Sequence, residues 1–571
     1  MILQTLNGYY QRLLADPESG ISAFGFGRLG VHFCIIIDKY GDIVGIPHNL
    51  NEEGRPLRIE VPGPVKKTSG VSSNFCWENS GYVLGVDNKG KPERTAKTHA
   101  AFKDLAKKVL DGVDDEGAEA LLAFLNKWNL EQIEDIPDWA EMLDKNIVFR
   151  LDGTREFIHD RPAVKNAWLK YLGAQKNVQK GTCLITGQKD VPIPAIHAAI
   201  KGVPGAQSSG AALISFNFDS ARSFGKKQNI NAPVCEQAAF AYTTALNHLL
   251  TSGIRRKLQV GDTTIVFWTD VPAKAEDFFG LALGGKEAED KGMVKELEQY
   301  LDAVTQGTYP DEIGDQDTPF YVLGLSPNAA RLSVRFWYVG TVGNLAENIG
   351  LHYKGLTLEQ SFENDPKHPK PWWLLKELAP QRDSRNMSPL LSGQLVQSII
   401  KNQPYPRTLL VAAIARIRAD KQVNYLRACI IKAYLIRNAQ REISMSLDRE
   451  NTDVGYRLGR LFAIVEKIQS DAVPGANATV RDRFFGAAAA TPGRVFPVVL
   501  KNAQHGLAKI RKDKPGWAVN LDKSLQEILS DMDPGVGFPS TMSLEKQGMF
   551  VLGYYHQRQD FFHRKDEKKE E

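Results

Sequence analysis

The sequence predicts an α+β N-terminal domain over residues 1–385, followed by an all-helical C-terminal bundle over residues 386–571. Strand-like and helix-like patterns intermix as far as about residue 360, without the regular alternation of a βαβ fold. Prolines then cluster between residues 364 and 406, which is typical of a domain boundary. After this cluster almost every segment has apolar residues at helical spacing, which predicts a bundle.

The first predicted element is an amphipathic helix over residues 2–14, because Leu3, Leu6, Tyr10 and Leu13 recur at helical spacing. A β-hairpin should follow, since β-branched runs flank a turn at residues 39–42. Further predicted helices lie near 96–112, 116–128, 161–171 and 236–252, and predicted strands near 211–216, 262–268, 320–325 and 331–339.

In the C-terminal part, Ser388 followed by Pro389 is typical of a helix N-cap and first turn. Apolar stripes over residues 454–468 and 495–510 then predict two amphipathic helices. The charged end of the chain, HRKDEKKEE, is expected to be a solvated tail.

The composition is that of an ordinary globular protein, with 43% hydrophobic and 24% charged residues. The net charge is only +4, so a nucleic-acid surface would have to be local. Five dispersed cysteines without a CxxC pair indicate a reducing compartment. No apolar run reaches the roughly 18 residues of a membrane span, and the N-terminus lacks the pattern of a signal peptide. A cytoplasmic protein without a membrane partner is therefore expected.

Two glycine-rich segments resemble nucleotide-binding motifs but lack their context. GFGRLG at residues 25–30 matches GxGxxG, yet a strand rather than a helix is predicted after it. GLALGGK at residues 280–286 resembles a phosphate-binding loop, but Glu287 stands where a hydroxyl should hold magnesium. Neither segment predicts a cofactor.

Two other groups of residues are candidates for a metal or nuclease site. His159-Asp160 is the dipeptide of HD phosphohydrolases, but no second histidine cluster accompanies it, and Asp160 is better placed to cap the next helix. Cys183 and His197 supply only two of the roughly four ligands that a metal site needs. The sequence therefore predicts no metal ligands and no cofactor.

The strongest enzyme hypothesis is a serine hydrolase, because AQSSG at residues 206–210 fits the AxSxG variant of a nucleophile elbow with Ser208 as nucleophile. An elbow requires a strand-to-helix turn, whereas here a proline-containing loop precedes the motif and a strand is predicted after it. The hydroxyl would then lack a helix N-terminus to help form an oxyanion hole. We predict no catalytic residue and no enzyme.

Binding is the remaining interpretation of this loop and of two similar segments. All three combine lysines, which suit phosphates, with small polar residues and amides that can reach base edges. The candidate DNA-contacting residues are Lys66, Lys67, Thr68, Ser69, Asn74, Lys201, Gln207, Ser208, Ser209, Lys226, Lys227, Gln228 and Asn231. Polar surface loops without a ligand remain the alternative.

Two further regions are candidates for contacting a nucleic-acid backbone. In the strand predicted at 331–339, alternation places Arg331, Ser333 and Arg335 on one face. Residues 401–441 carry many cations and one acid, Asp420, and helices this basic commonly neutralise phosphates. The candidates here are Arg331, Arg335, Arg407, Arg416, Arg418, Lys421 and Arg427.

Together these segments resemble the large subunit of the type I-C CRISPR surveillance complex, Cascade. The resemblance spans residue 1 to beyond residue 540 and rests on long strings in the expected order rather than on short motifs. The strings are MILQTLNGYYQRL, PVKKTSGVSSNFCWENSGYVLGV, IKGVPGAQSSGAALISFN, NAPVCEQAAFAYTTALNHLL, LSPNAARLSVRFW, SGQLVQSIIKNQPYPRTLLVAAIARIR and SLDRENTDVGYRLGRLFAIVEKIQ.

The resemblance implies a non-catalytic subunit of an RNA-guided antiviral complex. Such a subunit would contact the crRNA, recognise the protospacer-adjacent motif (PAM) in duplex DNA, aid duplex opening and R-loop formation, and support recruitment of a helicase-nuclease. Its other partners would be the backbone and small subunits of Cascade. The resemblance also implies that the C-terminal part, about 445–571, is made separately from an internal start, for which Met445 is the candidate. A general nucleic-acid scaffold without PAM dependence remains an alternative.

Overall fold

The computed structural model describes residues 1–63, 71–174, 179–251, 255–284, 291–532 and 537–566. The chain divides into two compact units. Unit 1 comprises residues 1–199 and 214–246, and unit 2 comprises residues 200–213 and 247–571. The predicted division at residue 385 falls inside unit 2, in which the last described strand ends at Thr341 and helices follow from Val342 onward.

Unit 1 combines helices with short strands. Its helices are α1 (Ile2–Ala15), α2 (Ser80–Val83), α3 (Pro92–Leu110), α4 (Glu116–Lys127), α5 (Pro162–Ala174) and α6 (Glu236–Leu250), of which the last turn belongs to unit 2. Its strands are β1 (Phe26–Val31), β2 (Phe33–Ile37), β3 (Ile43–Gly45), β4 (Leu57–Pro62), β5 (Trp77–Asn79), β6 (Asn146–Leu151), β7 (Lys180–Gly181) and β8 (Val191–Pro192).

The main sheet of unit 1 has the strand order β3-β2-β6-β5, with β2 and β6 parallel. The pairing of β2 with β3 confirms the predicted hairpin. Ile35 and Phe149 of the two central strands are fully buried, and Phe124 of α4 packs on Phe149 with ring centroids 5.5 Å apart. The core of unit 1 therefore lies between this sheet and its helices.

Unit 2 begins with a sheet and continues as helices. Its strands are β9 (Lys257–Val260), β10 (Thr263–Thr269), β11 (Pro319–Asn328) and β12 (Arg331–Thr341). Its helices are α7 (Ala275–Leu283), α8 (Lys291–Thr305), α9 (Val342–Leu356), α10 (Pro371–Leu378), α11 (Pro389–Ile400), α12 (Arg407–Asp420), α13 (Tyr425–Ala439), α14 (Val454–Ala472), α15 (Val480–Ala490), α16 (Pro492–Asp513), α17 (Pro515–Ser530) and α18 (Leu544–Asp566).

The sheet of unit 2 is antiparallel, with the order β12-β11-β10-β9. The helices after it include α14 and α18, which approach closely through glycines: a side chain at Gly459 would overlap the Phe550 carbonyl oxygen, and one at Gly553 would overlap that of Tyr456. Ser388 caps α11 as predicted, accepting a hydrogen bond from the Leu391 amide. The α+β N-terminal region and the helical C-terminal region confirm the predicted fold class.

One predicted strand was wrong. In the segment 211–216, only Ala211 and Ala212 form strand-like pairs, the first with Ile200 and the second with Arg331. The first pair closes the loop between residues 200 and 211, and the second attaches this loop to β12. The strand-like pairing does not continue beyond these two residues. Among the described helices, none combines the length and apolar character needed to cross a membrane.

Candidate nucleic-acid interface

The loop over residues 200–213 is held rigidly at its base. Ile200 and Ala211 exchange backbone hydrogen bonds of 2.9 and 2.8 Å, and the Leu332 amide of β12 donates to Ala212 at 3.0 Å. The Lys201 amide donates to the side chain of Asn247 at 2.8 Å, and Val203 is buried. The loop is therefore a projection fixed to the sheet of unit 2.

Glycines allow the sharp path of this loop. Gly202 and Gly205 have φ angles of +89° and +81°, in the left-handed region that favours glycine. A Cβ on Gly202 would lie 2.9 Å from the Leu250 carbonyl oxygen, so a larger residue would clash there as well. These two contacts explain why glycine is required at these positions of the loop.

The tip of the loop presents polar side chains to solvent. The Gly210 amide donates to the Gln207 carbonyl at 2.9 Å, which closes a turn over residues 207–210. Gln207, Ser208, Ser209 and the earlier Lys201 are all exposed, so the structure groups four predicted residues on one loop. No α-helix follows Ser208 within the described segment 179–251 until α6, and the first 3-10 helix begins only at Asp219, so the turn lacks the strand-to-helix geometry of a hydrolase elbow.

A second loop, over residues 218–231 of unit 1, contains two more of the lysines predicted to contact DNA. Lys226 and Lys227 are exposed, while Gln228 and Asn231 are half-buried, and the Asn231 amide donates to the Gln228 carbonyl at 3.1 Å. The side-chain amide of Asn231 therefore supports the turn that follows the lysines. Buried Asn229 anchors this turn at the base of the loop.

Phe224 in the same loop was missed by sequence reasoning. Its side chain is 89% exposed, and it lies between Arg222 and the two lysines along the chain. An exposed aromatic ring among cations suits contact with nucleic acid, because bases stack on rings and phosphates pair with cations. The segment RSFGKK was the available signal, since a large apolar residue is unusual in so polar a turn.

The segment around Asn74 is arranged differently. Lys66, Lys67, Thr68 and Ser69 lie outside the described residues. Asn74 is only 4% exposed, and its side-chain amide donates to a carboxylate oxygen of Glu78 at 2.9 Å. In this structure Asn74 therefore stabilises the segment that leads into β5. Its side chain would reach DNA only after a local rearrangement of this segment.

The predicted alternation in β12 is interrupted by a bulge. Gly324 pairs with Phe336 and Leu325 with Val334, so Arg335 is an extra residue in the register. As a result Val334, which an uninterrupted alternation places on the buried face, is 45% exposed. Arg335 is paired with Asp262 at 2.9 Å, and Arg331 is half-buried where the loop 200–213 attaches.

The cations of α12 and α13 do not form one exposed surface. Arg407, Arg418 and Lys421 are exposed, although Arg418 also donates to Gln547 at 2.6 Å. Arg427 is 1% exposed and lies 2.9 Å from Glu377 and 2.5 Å from Asp420.

Arg416 belongs to the same internal ion cluster, because it pairs with Asp420 at 2.7 Å. Burial alone would raise the pKa of Asp420, but the hydrogen bonds from Arg427 and Arg416 outweigh it and hold that pKa below its usual value. Two of the predicted phosphate contacts therefore already neutralise carboxylates within unit 2.

The residues considered as metal or nuclease ligands have structural roles. His159 is buried, its Nε2 lies 2.9 Å from the Glu60 carbonyl oxygen, and burial lowers its pKa. Asp160 pairs with Lys165 at 3.0 Å. His197 Nδ1 lies 2.7 Å from the Tyr242 hydroxyl, and burial lowers the pKa of His197 to about 4.

The Sγ of Cys183 accepts a hydrogen bond from the Cys235 amide at 3.2 Å, so this thiol is also engaged within unit 1. Across the described residues, histidines, cysteines and carboxylates form no group of three that could hold a metal ion.

The sequence matches a known protein family. A family model matches it from residue 6 to residue 562, which is nearly its whole length. The chain is thus a CRISPR-associated protein. It belongs to the family described as CRISPR-associated protein (Cas_Csd1). No curated protein matches it.

Proposed function

We propose that this chain is the non-catalytic large subunit of a type I-C CRISPR complex, and that it recognises the PAM in duplex DNA. The observation that carries the proposal is the rigid loop 200–213, which presents Lys201, Gln207, Ser208 and Ser209 together to solvent. Family membership supports a role in CRISPR defence. In such complexes the guide RNA reads the target sequence, so the protein has to read only the PAM and the backbone.

The chemistry of the two exposed loops fits this role. A glutamine side chain can donate to and accept from base edges, and lysines contact phosphates and set the register of the duplex. Phe224, with cations on either side in sequence, adds an apolar group that can be inserted at a base step to help open a duplex. The proposed partners are the crRNA, target DNA, the backbone and small subunits, and the helicase-nuclease.

The direct test is a titration of PAM and non-PAM duplexes against the reconstituted complex, with and without this chain. PAM-dependent capture that requires the chain would support the proposal. Equal binding of both duplexes would favour a general nucleic-acid scaffold. Ser208→Ala separates the hydrolase alternative, because it would abolish catalysis by a serine nucleophile while only mildly affecting DNA capture.

Gln207→Ala and Lys201→Ala should each weaken capture of the PAM duplex by about 1–3 kcal/mol if a base contact is lost. Both side chains are exposed, so the folded state should be unaffected and the loss should appear in binding alone. Equilibrium binding by the assembled complex measures the effect. Gln237→Ala and Lys107→Ala, which change exposed residues of helices in unit 1, are the matched controls.

Asn74→Ala belongs in the same series, with an unfolding measurement beside it because Asn74 also bonds to Glu78. Unchanged capture by all three loop variants would remove these loops from the PAM site. A loss in the control variants as well would indicate damage to assembly rather than to recognition.

The internal start at Met445 also becomes a proposal. Met445 is 54% exposed in the connection between α13 and α14, and a product beginning there would contain α14 to α18. Expression with a C-terminal tag should therefore give a second, short band that disappears with Met445→Ala. A short band that persists in this variant would place the start elsewhere.

A further inference from the structure

Two of the five cysteines lie against each other in unit 1. Cys235 directly precedes α6, where its carbonyl oxygen accepts a hydrogen bond from the Ala239 amide at 2.8 Å. Cys183 lies in the turn between β7 and β8, and its Sγ accepts a hydrogen bond from the Cys235 amide at 3.2 Å. The thiol of Cys235 also forms a hydrogen bond with Cys183. The two sulfur atoms are therefore neighbours, although 52 positions separate the residues along the chain.

The backbone holds these two cysteines in place. The Leu184 amide donates to the Pro233 carbonyl at 2.9 Å, which joins the turn to the segment that leads into α6. Because N and Cα of one residue are about 1.5 Å apart, Sγ of Cys183 lies at most about 4.7 Å from Cα of Cys235. The spacing therefore suits a disulfide, which joins Cα atoms about 4.4–6.8 Å apart.

The hydrogen bonds at Cys183 favour its thiolate. Burial alone would raise the pKa of this thiol, but hydrogen bonds from the amides of Cys235, Thr186 and Ile185 and from the Thr186 hydroxyl outweigh burial and lower the pKa. Burial raises the pKa of Cys235, so this side chain is a protonated thiol at neutral pH. In such a pair the thiolate is the group that an oxidant attacks, and the thiol beside it can complete a disulfide.

The other three cysteines differ from this pair in their ionisation. Burial raises the pKa of all three thiols, which are those of Cys34, Cys76 and Cys429. Because peroxides react with the thiolate, these three buried thiols should be inert.

Cys183 is also buried, but in a thinner part of the fold. It lies in a hairpin whose strands are two residues each, its neighbour Leu184 is 62% exposed, and residues 186–190 are exposed as well. A hairpin this short opens locally at little cost, and the opening admits a small oxidant.

We propose that Cys183 and Cys235 form a reversible disulfide when a peroxide is present, and that this bond restrains the segment carrying both candidate DNA-contacting loops. The Cys183 thiolate takes one oxygen atom from the peroxide, which gives a sulfenic acid and releases hydroxide. The Cys235 sulfur then attacks the sulfenic sulfur, the S–O bond breaks, and the thiol proton leaves with the hydroxyl group as water. Overall the two thiols lose two electrons, and hydrogen peroxide is reduced to two waters. Thiol reductants reverse the bond by exchange.

The restraint follows from the position of the two cysteines along the chain. The disulfide closes a ring over residues 184–234, and the loops 200–213 and 218–231 both lie in this ring. A covalent ring limits the conformations that the enclosed segment can reach when it opens. The bond itself does not depend on the proposed function, because its formation requires neither DNA nor the other subunits.

Mass spectrometry of the full chain after treatment with hydrogen peroxide tests the bond. The mass should fall by about two hydrogen atoms, digestion without reductant should give a peptide pair joined through Cys183 and Cys235, and dithiothreitol should restore both thiols. Cys429→Ala is the matched control and should form the same bond. Cys183→Ser and Cys235→Ser should not form it, and circular dichroism checks that each variant is folded.

The order of the two steps is tested in Cys235→Ser, in which the sulfenic acid of Cys183 has no thiol to react with. Dimedone, a reagent for sulfenic acids, should label Cys183 in this variant at least about ten-fold more than any of the other three cysteines. In Cys183→Ser no label should appear at Cys235. Absence of the disulfide in the folded wild-type chain, or equal labelling of all cysteines by dimedone, would overturn the proposal.

Hydrogen–deuterium exchange tests the restraint. Exchange of residues 184–234 should be slower in the oxidised wild-type chain than in the reduced chain, and Cys183→Ser should show no such difference. Equal exchange in the two wild-type forms, with the disulfide present, would overturn the restraint. A disulfide that forms as expected in a chain without PAM-dependent capture would reject the proposed function and leave this inference standing.

Discussion

Replacing Arg427 with alanine should lower the free energy of unfolding by about 3–5 kcal/mol. The guanidinium is 1% exposed and pairs with Glu377 and Asp420, and it also donates to the Gln422 carbonyl at 2.9 Å. Glu377 is itself 5% exposed, so removing the arginine leaves this buried carboxylate with Arg382, at 2.9 Å, as its remaining cation and with one buried charge fewer to balance it. Urea unfolding at neutral pH, followed by circular dichroism, measures the change.

Arg407→Ala is the matched control, because Arg407 is an exposed arginine at the start of α12. Its stability should stay within about 0.5 kcal/mol of the wild-type value. Arg427→Ala could instead keep the wild-type free energy of unfolding and bind nucleic acid more weakly, with a smaller salt slope. That result would show that Arg427 contacts phosphates and does not stabilise the fold through Glu377 and Asp420.

This ion cluster shows why a count of local charges did not locate the exposed cations. Between residues 401 and 441 the sequence offers Asp420 as the one acid, which predicts a basic surface. The folded chain brings in Glu377 from α10 and Gln547 from α18. Both partners are distant in sequence, and no periodicity within the window indicates that they will meet these arginines.

The division of α16 into a buried and an exposed face, by contrast, is contained in the sequence. The apolar residues of 495–510 define the buried face of this helix, and the same periodicity places the cations opposite to it. Helical periodicity predicts which residues share a face, and the structure was needed to show that α14, α15 and α17 pack against this helix.

Strand alternation predicted the exposed residues of β12 less well, because the register of a strand also depends on the segment that it pairs with. A single extra residue, Arg335, reverses which side of β12 the preceding residues face, so Val334 is exposed although its spacing predicted burial. The bulge depends on pairing with β11, which the sequence of one strand does not contain. The candidate loop 200–213 was predictable from its glycines and polar residues, but its attachment to β12 was not.

Lowering the pH should weaken the C-terminal helices of unit 2 through His556. Its side chain is 0% exposed, and burial, aided by the positive charge of Lys432, lowers its pKa to about 3 from the 6.5 of an unperturbed histidine. The Tyr456 hydroxyl accepts a hydrogen bond from the Asp448 amide and lies 2.8 Å from Nδ1 of His556, so the hydrogen-bond partner of this buried ring is a neutral group.

The sign follows from proton binding in the two states. Between about pH 6.5 and pH 3 the unfolded chain takes up a proton at His556 that the folded chain refuses, so stability is complete above pH 6.5 and is lost as the pH falls. At about pH 5 this histidine alone should cost about 2 kcal/mol. His556→Asn should reduce the loss measured by urea unfolding between neutral pH and pH 5, whereas exposed His505→Asn should not change it. An identical loss in wild type and His556→Asn would mean that other groups carry the acid sensitivity, because the amide of asparagine cannot take up this proton.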